Sequence, residues 1–319
     1  MKFLVAGFGS IGRRHLRNLR ALGEEDILLL RSHKATIPDD EIRDLPVETT
    51  VEAALAHHPD GVIIANPTAL HLDVAIPAAK QGCAILMEKP VTDDFSRIGD
   101  LQEALVSGGG RLQMGFQFRF HPGLRKVSEL LSSGVVGRPL SFRAEWGEYL
   151  PGWHPWEDYR NTYAARKDLG GGVLLTLSHP LDYVRFLFGN VRSITGFNGK
   201  ISDLEMDVDD LAELVLEMEN GAVGSVHMDY FGRPVKNCLD VTCSEGRIHW
   251  ENADASVRMW DVDGQETLFM PESPFDRNNL FLDEMRRFID VCARRAEPSC
   301  TLEDGLAVQD LIRQIRGEN

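Results

Sequence analysis

The chain is short of bases. Against 49 Asp and Glu it carries only 34 Lys and Arg, which leaves a formal net charge of −15 over 319 residues. A surface of that sign repels phosphate backbones and anionic bilayers, so neither nucleic acid nor a membrane is expected as a partner. Cysteine is scarce as well. Cys83, Cys238, Cys243, Cys292 and Cys300 form no CxxC pair, which argues against a disulfide framework and for reduced thiols; no metal site is expected. No apolar run reaches membrane-spanning length, and internal repeats and low-complexity tracts are missing. Met1-Lys2 leads at once into a strand pattern, which leaves no room for a leader and sets a cytoplasmic expectation. Eight acids between Asp203 and Glu219, with no base among them, read as a solvated rim or strand edge. What remains is a 43% apolar chain, long enough for two domains with real cores.

The positive signal comes first in the chain. Phe3-Leu4-Val5-Ala6 suits a strand buried on both faces, and it runs directly into Gly7-x-Gly9-x-x-Gly12. Ile11, Leu16, Leu19 and Leu22 then recur at helical spacing, with Gly23 as a C-cap. Strand, glycine turn and helix together are the context that gives this motif meaning. Gly7 permits the tight turn, Gly9 lets the backbone approach a pyrophosphate, and Gly12 lets helix and strand pack closely. The helix start offers unpaired N–H groups and a positive dipole end to phosphates. Gly7, Phe8, Gly9, Ser10, Ile11 and Gly12 are therefore expected to bind a dinucleotide.

Strands and helices alternate over the first 120 residues. Strand patterns lie at Asp26–Leu30, Gly61–Ala65, Cys83–Met87 and Arg111–Phe116; helical patterns follow Thr49-Thr50, span Ala69–Gln81 and follow a cap at Thr92. This rhythm predicts a doubly wound parallel sheet. After Phe120 a helix leads to an extended segment at Leu140–Tyr149 and a helical stretch at Leu174–Phe188. Six strand patterns follow in series between Val191 and Asp261, with Asn220-Gly221 as a hairpin turn, and two helices close the chain. The reading is an α/β domain over 1–120 and an α+β domain with a mostly antiparallel sheet over 121–319.

The end of the second strand bears on the choice of cofactor. A carboxylate about 20 residues past the glycines normally binds the adenosine ribose of NAD. Here the chain reads Leu30-Arg31-Ser32-His33-Lys34, with no acid before Asp39. A guanidinium and an ammonium beside a hydroxyl suit a 2′-phosphate, so Arg31, Ser32 and Lys34 point to NADP, with NAD still possible.

Five segments, GFGSIGRRHLRNL at 7–19, ANPTALH at 65–71, MEKPV at 87–91, GFQFRFHP at 115–122 and GGGVLLTLSHPLDY at 170–183, resemble the Gfo/Idh/MocA family of oxidoreductases, in family order and over most of the chain. The stretch from Gly147 to Tyr183 looks like a branch linked to sugars and sugar nucleotides. The resemblance implies a Rossmann domain, a second domain with a large open sheet, a site between them, and hydride exchange with a sugar or cyclitol CH–OH. It also implies a homodimer or homotetramer built through the C-terminal sheet. Lys89 matches the lysine of the EKP motif, which holds the reacting hydroxyl, and His179 matches the acid/base histidine. Asn66, Pro67, Thr68 and His71 match the cofactor-lining loop, Glu88 adjoins the lysine, and Gln117 stands where Asn is commoner. The family's acid four residues before the histidine is missing. Leu175 occupies that place, or Thr176 when the alignment starts from the glycines, with Asp182 or Asp168 as possible substitutes.

The chemistry of these residues agrees with those roles. Imidazole titrates near neutrality and suits proton exchange with an alcohol. A lysine just past a strand end lies where open α/β sheets bind ligands, and it can donate to a substrate oxygen. Arg119, Trp153 and Tyr163 join Lys89, Gln117, Thr176 and His179 as expected substrate contacts, because aromatic faces suit sugar rings and a guanidinium suits a phosphate. Two other readings keep the fold: a dinucleotide-retaining enzyme that cleaves glycosidic bonds by transient oxidation, and a non-catalytic dinucleotide-binding protein.

Overall fold

The computed structural model describes residues 1–31, 42–92, 95–153 and 155–318. Backbone contacts divide the chain into two units, 1–117 with 278–306 and 118–277 with 307–319.

The first unit alternates β1 (Phe3–Ala6), α1 (Ser10–Ala21), β2 (Ile27–Leu30), β3 (Val47–Glu48), α2 (Val51–Leu55), β4 (Gly61–Ile64), α3 (His71–Lys80), β5 (Ala84–Glu88), α4 (Ile98–Gly108) and β6 (Arg111–Gly115). Its sheet runs β3-β2-β1-β4-β5-β6 with every pair parallel, which is the doubly wound sheet expected. β1, β2 and β4 are buried at every position, as strands covered on both faces must be. Thr50 caps α2, its hydroxyl accepting from the Ala53 N–H at 3.2 Å. α4 starts at Ile98, behind a single 3-10 turn over Phe95–Arg97, six residues past Thr92.

The second unit holds α5 (Pro122–Ser133), β7 (Pro139–Gly147), α6 (Val173–Thr176), α7 (His179–Phe188), β8 (Val191–Gly199), β9 (Leu211–Met218), β10 (Val223–Asp229), β11 (Lys236–Cys243), β12 (Gly246–Glu251), β13 (Val257–Trp260) and β14 (Glu266–Phe269). The sheet order is β14-β13-β12-β11-β7-β10-β9-β8, antiparallel throughout except where β10 lies parallel to β7. Asn220-Gly221 makes the β9–β10 turn; Gly221 has φ +87°, and the Asn220 side chain accepts the Ala222 N–H at 2.9 Å. One face is apolar and buried, with Ala212, Leu214, Leu216 and Met218 alternating along β9. The other is a ladder of cross-strand charges. His227 lies between Glu213 and Asp229 at 2.5 and 2.8 Å, and Lys236 reaches Glu145 at 2.6 Å. The hydrogen bond to Asp229, aided by Glu213 against partial burial, raises the His227 imidazole to about 9.

Two helices complete the chain, α8 (Asn278–Cys292) and α9 (Leu302–Arg316). The chain crosses between the two units three times, after residues 117, 277 and 306, where the sequence reading placed a single boundary at 120/121. α8 returns to the first unit, because its apolar stripe supplies Met285, Phe288 and Val291 to the core that contains Phe3, Val5, Leu16, Leu19, Ile63 and Leu86. The Phe3 and Phe288 rings meet at 6.3 Å, and Gly61 leaves room between Phe3 and Cys292, where a Cβ would come within 2.9 Å of either. No alternation of strand and helix announces such a return. Phe288→Ala should cost about 3–5 kcal/mol of stability through the lost contacts and the cavity. Chemical denaturation checks this, and a loss below about 1 kcal/mol would place α8 outside the core.

Candidate active site

The glycine turn closes the first strand. The Gly7 N–H donates to the Leu30 carbonyl at 2.9 Å, and Ala65 donates to Ala6 at 2.8 Å, so the C-terminal ends of β1, β2 and β4 converge here. Gly7 has φ +93°, and a Cβ on it would lie 2.5 Å from the Asn66 nitrogen. A Cβ on Gly12 would collide with the Gly7 carbonyl oxygen. Gly9 is different: it is exposed, and nothing lies within 4 Å of where its Cβ would be. Gly7 and Gly12 thus close the turn, and Gly9 leaves an open approach to the backbone. α1 begins there with no acid in its first turn, and its first intrahelical bond runs from the Arg13 N–H to the Gly9 carbonyl at 3.0 Å. The N–H groups of Ser10, Ile11 and Gly12 precede that bond and have no carbonyl within the helix. An open approach, unused donors and a positive dipole end fit a pyrophosphate.

Phe8 is buried under two guanidinium groups, Arg13 at 4.3 Å and Arg31 at 5.8 Å from the ring centroid. Arg31 is itself 7% exposed, and its N–H bonds the Glu48 carbonyl at 3.0 Å. Ser32 and Lys34 lie outside the described residues.

The loop after β4 is braced by His71. Its two ring nitrogens face the Asn66 carbonyl at 3.1 Å and the Val91 carbonyl at 3.3 Å. Burial drives its pKa down, so the ring is neutral and has one proton to share between two acceptors. It acts as a strut joining the segment after β4 to the segment after β5. The Asn66 amide nitrogen bonds Leu70 at 3.3 Å; Pro67 is exposed and Thr68 half-buried. Lys89 is half-buried at the end of β5, before a cis bond to Pro90. The Glu88 carboxylate is held by His15 at 2.7 Å, a fully buried imidazole on α1. A histidine three residues past the last glycine of the motif was a signal that the sequence reading left unused. Gln117 is buried at 4%.

In the second unit His179 opens α7 at 4% exposure, with its ring 5.0 Å from Phe118 and stacked on Trp146 at 5.6 Å. Phe118 also touches His121, Tyr183 and Trp250, so one aromatic cluster fixes the imidazole plane. His121 is pushed down to about 3 by burial and stays neutral. Thr176 is buried at 5% with its hydroxyl against the Tyr230 phenol. Arg119, expected as a phosphate binder, lies on the 3-10 turn before α5. It is buried and grips Asp182 through Nε at 3.1 Å and Nη2 at 2.7 Å, because a buried guanidinium needs a carboxylate partner. Asp182 is thereby committed, and Asp168 pairs with Arg166 on the surface at 2.5 Å. Trp153 packs edge-on to Tyr230 at 5.6 Å, and Tyr163 is 53% exposed. The acidic run is no idle rim. Asp207, Asp209 and Asp210 accept the N–H groups of Lys167 at 3.1 Å, Leu174 at 3.0 Å and Ile201 at 2.7 Å.

Among the described residues no group of His, Cys, Asp and Glu could hold a metal ion, and no helix is long and apolar enough to cross a membrane.

Comparison with known proteins agrees with this anatomy. The profile of the oxidoreductase family with an NAD-binding Rossmann fold matches residues 1–116, and that of the GFO/IDH/MocA C-terminal domain matches 124–249. A myo-inositol 2-dehydrogenase of Thermotoga maritima is 26% identical over 327 residues, covering 96% of this chain and 92% of its own. The crystal structure of a levoglucosan dehydrogenase with NADH and levoglucosan superposes with a TM-score of 0.86 at 18% identity, covering 100% of this chain and 98% of the other. The WlbA dehydrogenase of Bordetella pertussis, solved with NADH and UDP-GlcNAcA, gives 0.81 at 18% identity over 99% of this chain and 95% of that one.

Alanine at the two glycines should separate fold from ligand. Gly7→Ala forces a positive φ and a backbone clash, and should lower the melting temperature by several degrees. Gly9→Ala should leave melting unchanged and weaken dinucleotide binding about tenfold or more, by crowding the approach. Equal effects of the two on both measurements would refute the division.

Proposed function

The chain belongs to the Gfo/Idh/MocA family of NAD-binding oxidoreductases, and on that footing we propose that it moves hydride between a nicotinamide dinucleotide and a CH–OH or C=O carbon of a sugar, sugar derivative or cyclitol. The observation that carries the proposal is the glycine turn, where Gly9 leaves an open approach to the start of α1 and Arg13 and Arg31 lie over the Phe8 ring next to it. The names of the relatives supply the substrate class, myo-inositol in one and levoglucosan in another.

When bound, the nicotinamide supplies the hydride acceptor or donor. Ser10, Ile11 and Gly12 would hold the diphosphate through backbone N–H groups, and Asn66, Thr68 and Gln117 would border the rest of the dinucleotide. Lys89 donates a hydrogen bond to the reacting oxygen and biases it toward the alkoxide as hydride leaves. His179 takes the hydroxyl proton on an imidazole nitrogen, its ring held in plane by Phe118 and Trp146. In the reductive direction Lys89 polarises the carbonyl and His179 returns the one proton to its oxygen as hydride arrives. Burial of His179 keeps bulk water from competing for that proton.

NADP(H) is the preferred dinucleotide in this reading. Arg31, at the end of β2, stands where an acid would grip a ribose hydroxyl, and its charge suits a 2′-phosphate. Self-association into a dimer or tetramer uses the open face of the eight-stranded sheet, where Phe197, Val215 and Val223 stand exposed.

The first test is a screen of NADP and NAD reduction with myo-inositol, levoglucosan, hexoses and nucleotide sugars. On the best substrate, Lys89→Ala and His179→Ala should each lower turnover about 100-fold or more while dinucleotide affinity persists. Near-normal turnover in either removes that residue from the mechanism. The ratio of KM for NAD and NADP measures the second claim. It should favour NADP and collapse in Arg31→Ala; a preference for NAD untouched by that change refutes it.

A further inference from the structure

The acids after Lys200 are built into the turn that leads to His179, and we infer that Asp209 is a positioning residue for that imidazole, with Arg316 near the end of α9 as its counter-charge. The inference rests on the reading of His179 given above. Asp209 grips the turn at two points and is paired at a third atom. Its backbone carbonyl accepts the Val173 N–H at 3.0 Å, and its Oδ2 accepts the Leu174 N–H at 3.0 Å. Its Oδ1 accepts from Arg316 Nη2 at 2.9 Å.

The glycines are what let the carboxylate in. Gly172 has φ +108°, and a Cβ there would collide with Asp209 Oδ1. A Cβ on Gly171 would collide with the Tyr163 carbonyl and come within 2.8 Å of those of Ala164 and Arg166. Gly171 and Gly172 in turn donate to the Arg166 and Ala164 carbonyls at 2.9 and 3.0 Å. The turn is thus clamped from both sides, by the segment before it and by Asp209. From Leu174 only the single turn of α6 separates the clamp from His179, tied by Thr176 N–H to Gly172 at 2.9 Å and Leu177 N–H to Val173 at 2.8 Å. So short and bonded a segment has no slack to absorb a shift, and displacements near 1 Å at a reacting group are costly. The Asp209 and Arg316 side chains are 11% and 21% exposed, a depth at which a lone carboxylate is costly and a paired, bonded one is not. Leu175 stands four residues before the histidine, and an acid on a separate loop, Asp209, bonds the backbone that delivers it.

The test uses the full chain in three variants: Asp209→Ala, Asp209→Asn and Arg316→Ala. The first readout needs no substrate. The His179 imidazole cross-peaks in a ¹H–¹⁵N spectrum should shift in Asp209→Ala, and hydrogen exchange at residues 171–178 should quicken about tenfold or more. Asparagine keeps an acceptor for the Leu174 N–H and should restore both toward wild type. Arg316→Ala should shift both in the same direction by less, and it carries the test if Asp209→Ala does not fold. With the best substrate of the screen, kcat should fall about tenfold in Asp209→Ala while NADP affinity changes less than twofold. Unchanged imidazole peaks beside quickened exchange overturn the positioning role, as does unchanged exchange. Shifted peaks with undiminished kcat instead overturn the role of His179 in catalysis and leave the clamp standing.

Discussion

The first unit depends on how closely three strand ends approach one helix start. β1, β2 and β4 finish together because Gly7 donates back to β2 and Ala65 to β1, and the chain must then reverse into α1 with no room for a side chain at Gly7 or Gly12. The first N–H groups of α1 then lack a carbonyl within the helix, beside the open approach at Gly9. The same turn forms one wall of the hydrophobic core, for Phe8 packs beneath two guanidinium groups while Leu16 and Leu19 of α1 meet β1. Stability and ligand capacity therefore come from one piece of backbone geometry.

The chain spends its few bases with care. Arg119 is committed to Asp182 inside the second unit, and Arg316 to Asp209. Arg160 and Arg166 are paired on the surface with Asp158, Glu205 and Asp168. Arg13 and Arg31 lie over Phe8 at the glycine turn, which places two guanidinium groups where an anion is expected on an otherwise acidic molecule. The acids are used as deliberately, because Asp207, Asp209 and Asp210 serve as acceptors for backbone groups of irregular segments that no ladder could satisfy.

His179 and Lys89 are set by different means. Lys89 stands at a strand end beside Glu88, which is held by a buried imidazole from α1. His179 opens α7 among aromatic rings. Its plane is set by Phe118 and Trp146, and its backbone by a glycine turn clamped from a separate loop. Rigid aromatic contacts and bonded backbone achieve the orientation that a directly bonded acid commonly provides.

Much of this was legible in the residues. Fully apolar four-residue strands, a glycine turn in the right setting and an Asn-Gly hairpin are local signals, since each rests on the sterics of a few consecutive residues, and the parallel and antiparallel sheets followed from them. The partners of charged groups were not legible, because a carboxylate in sequence does not say which backbone N–H it will meet. Arg119 read as a phosphate ligand and lies buried on Asp182; the run around Asp209 read as a solvated edge and holds a turn some 35 residues away. The return of α8 to the first core was equally silent, for an apolar stripe shows that a helix is buried but not against what. Sequence alone determined the elements and the dinucleotide-shaped turn, which are matters of local conformation. Only the tertiary structure decided who neutralises whom and what holds His179, because those contacts join residues that the chain keeps far apart.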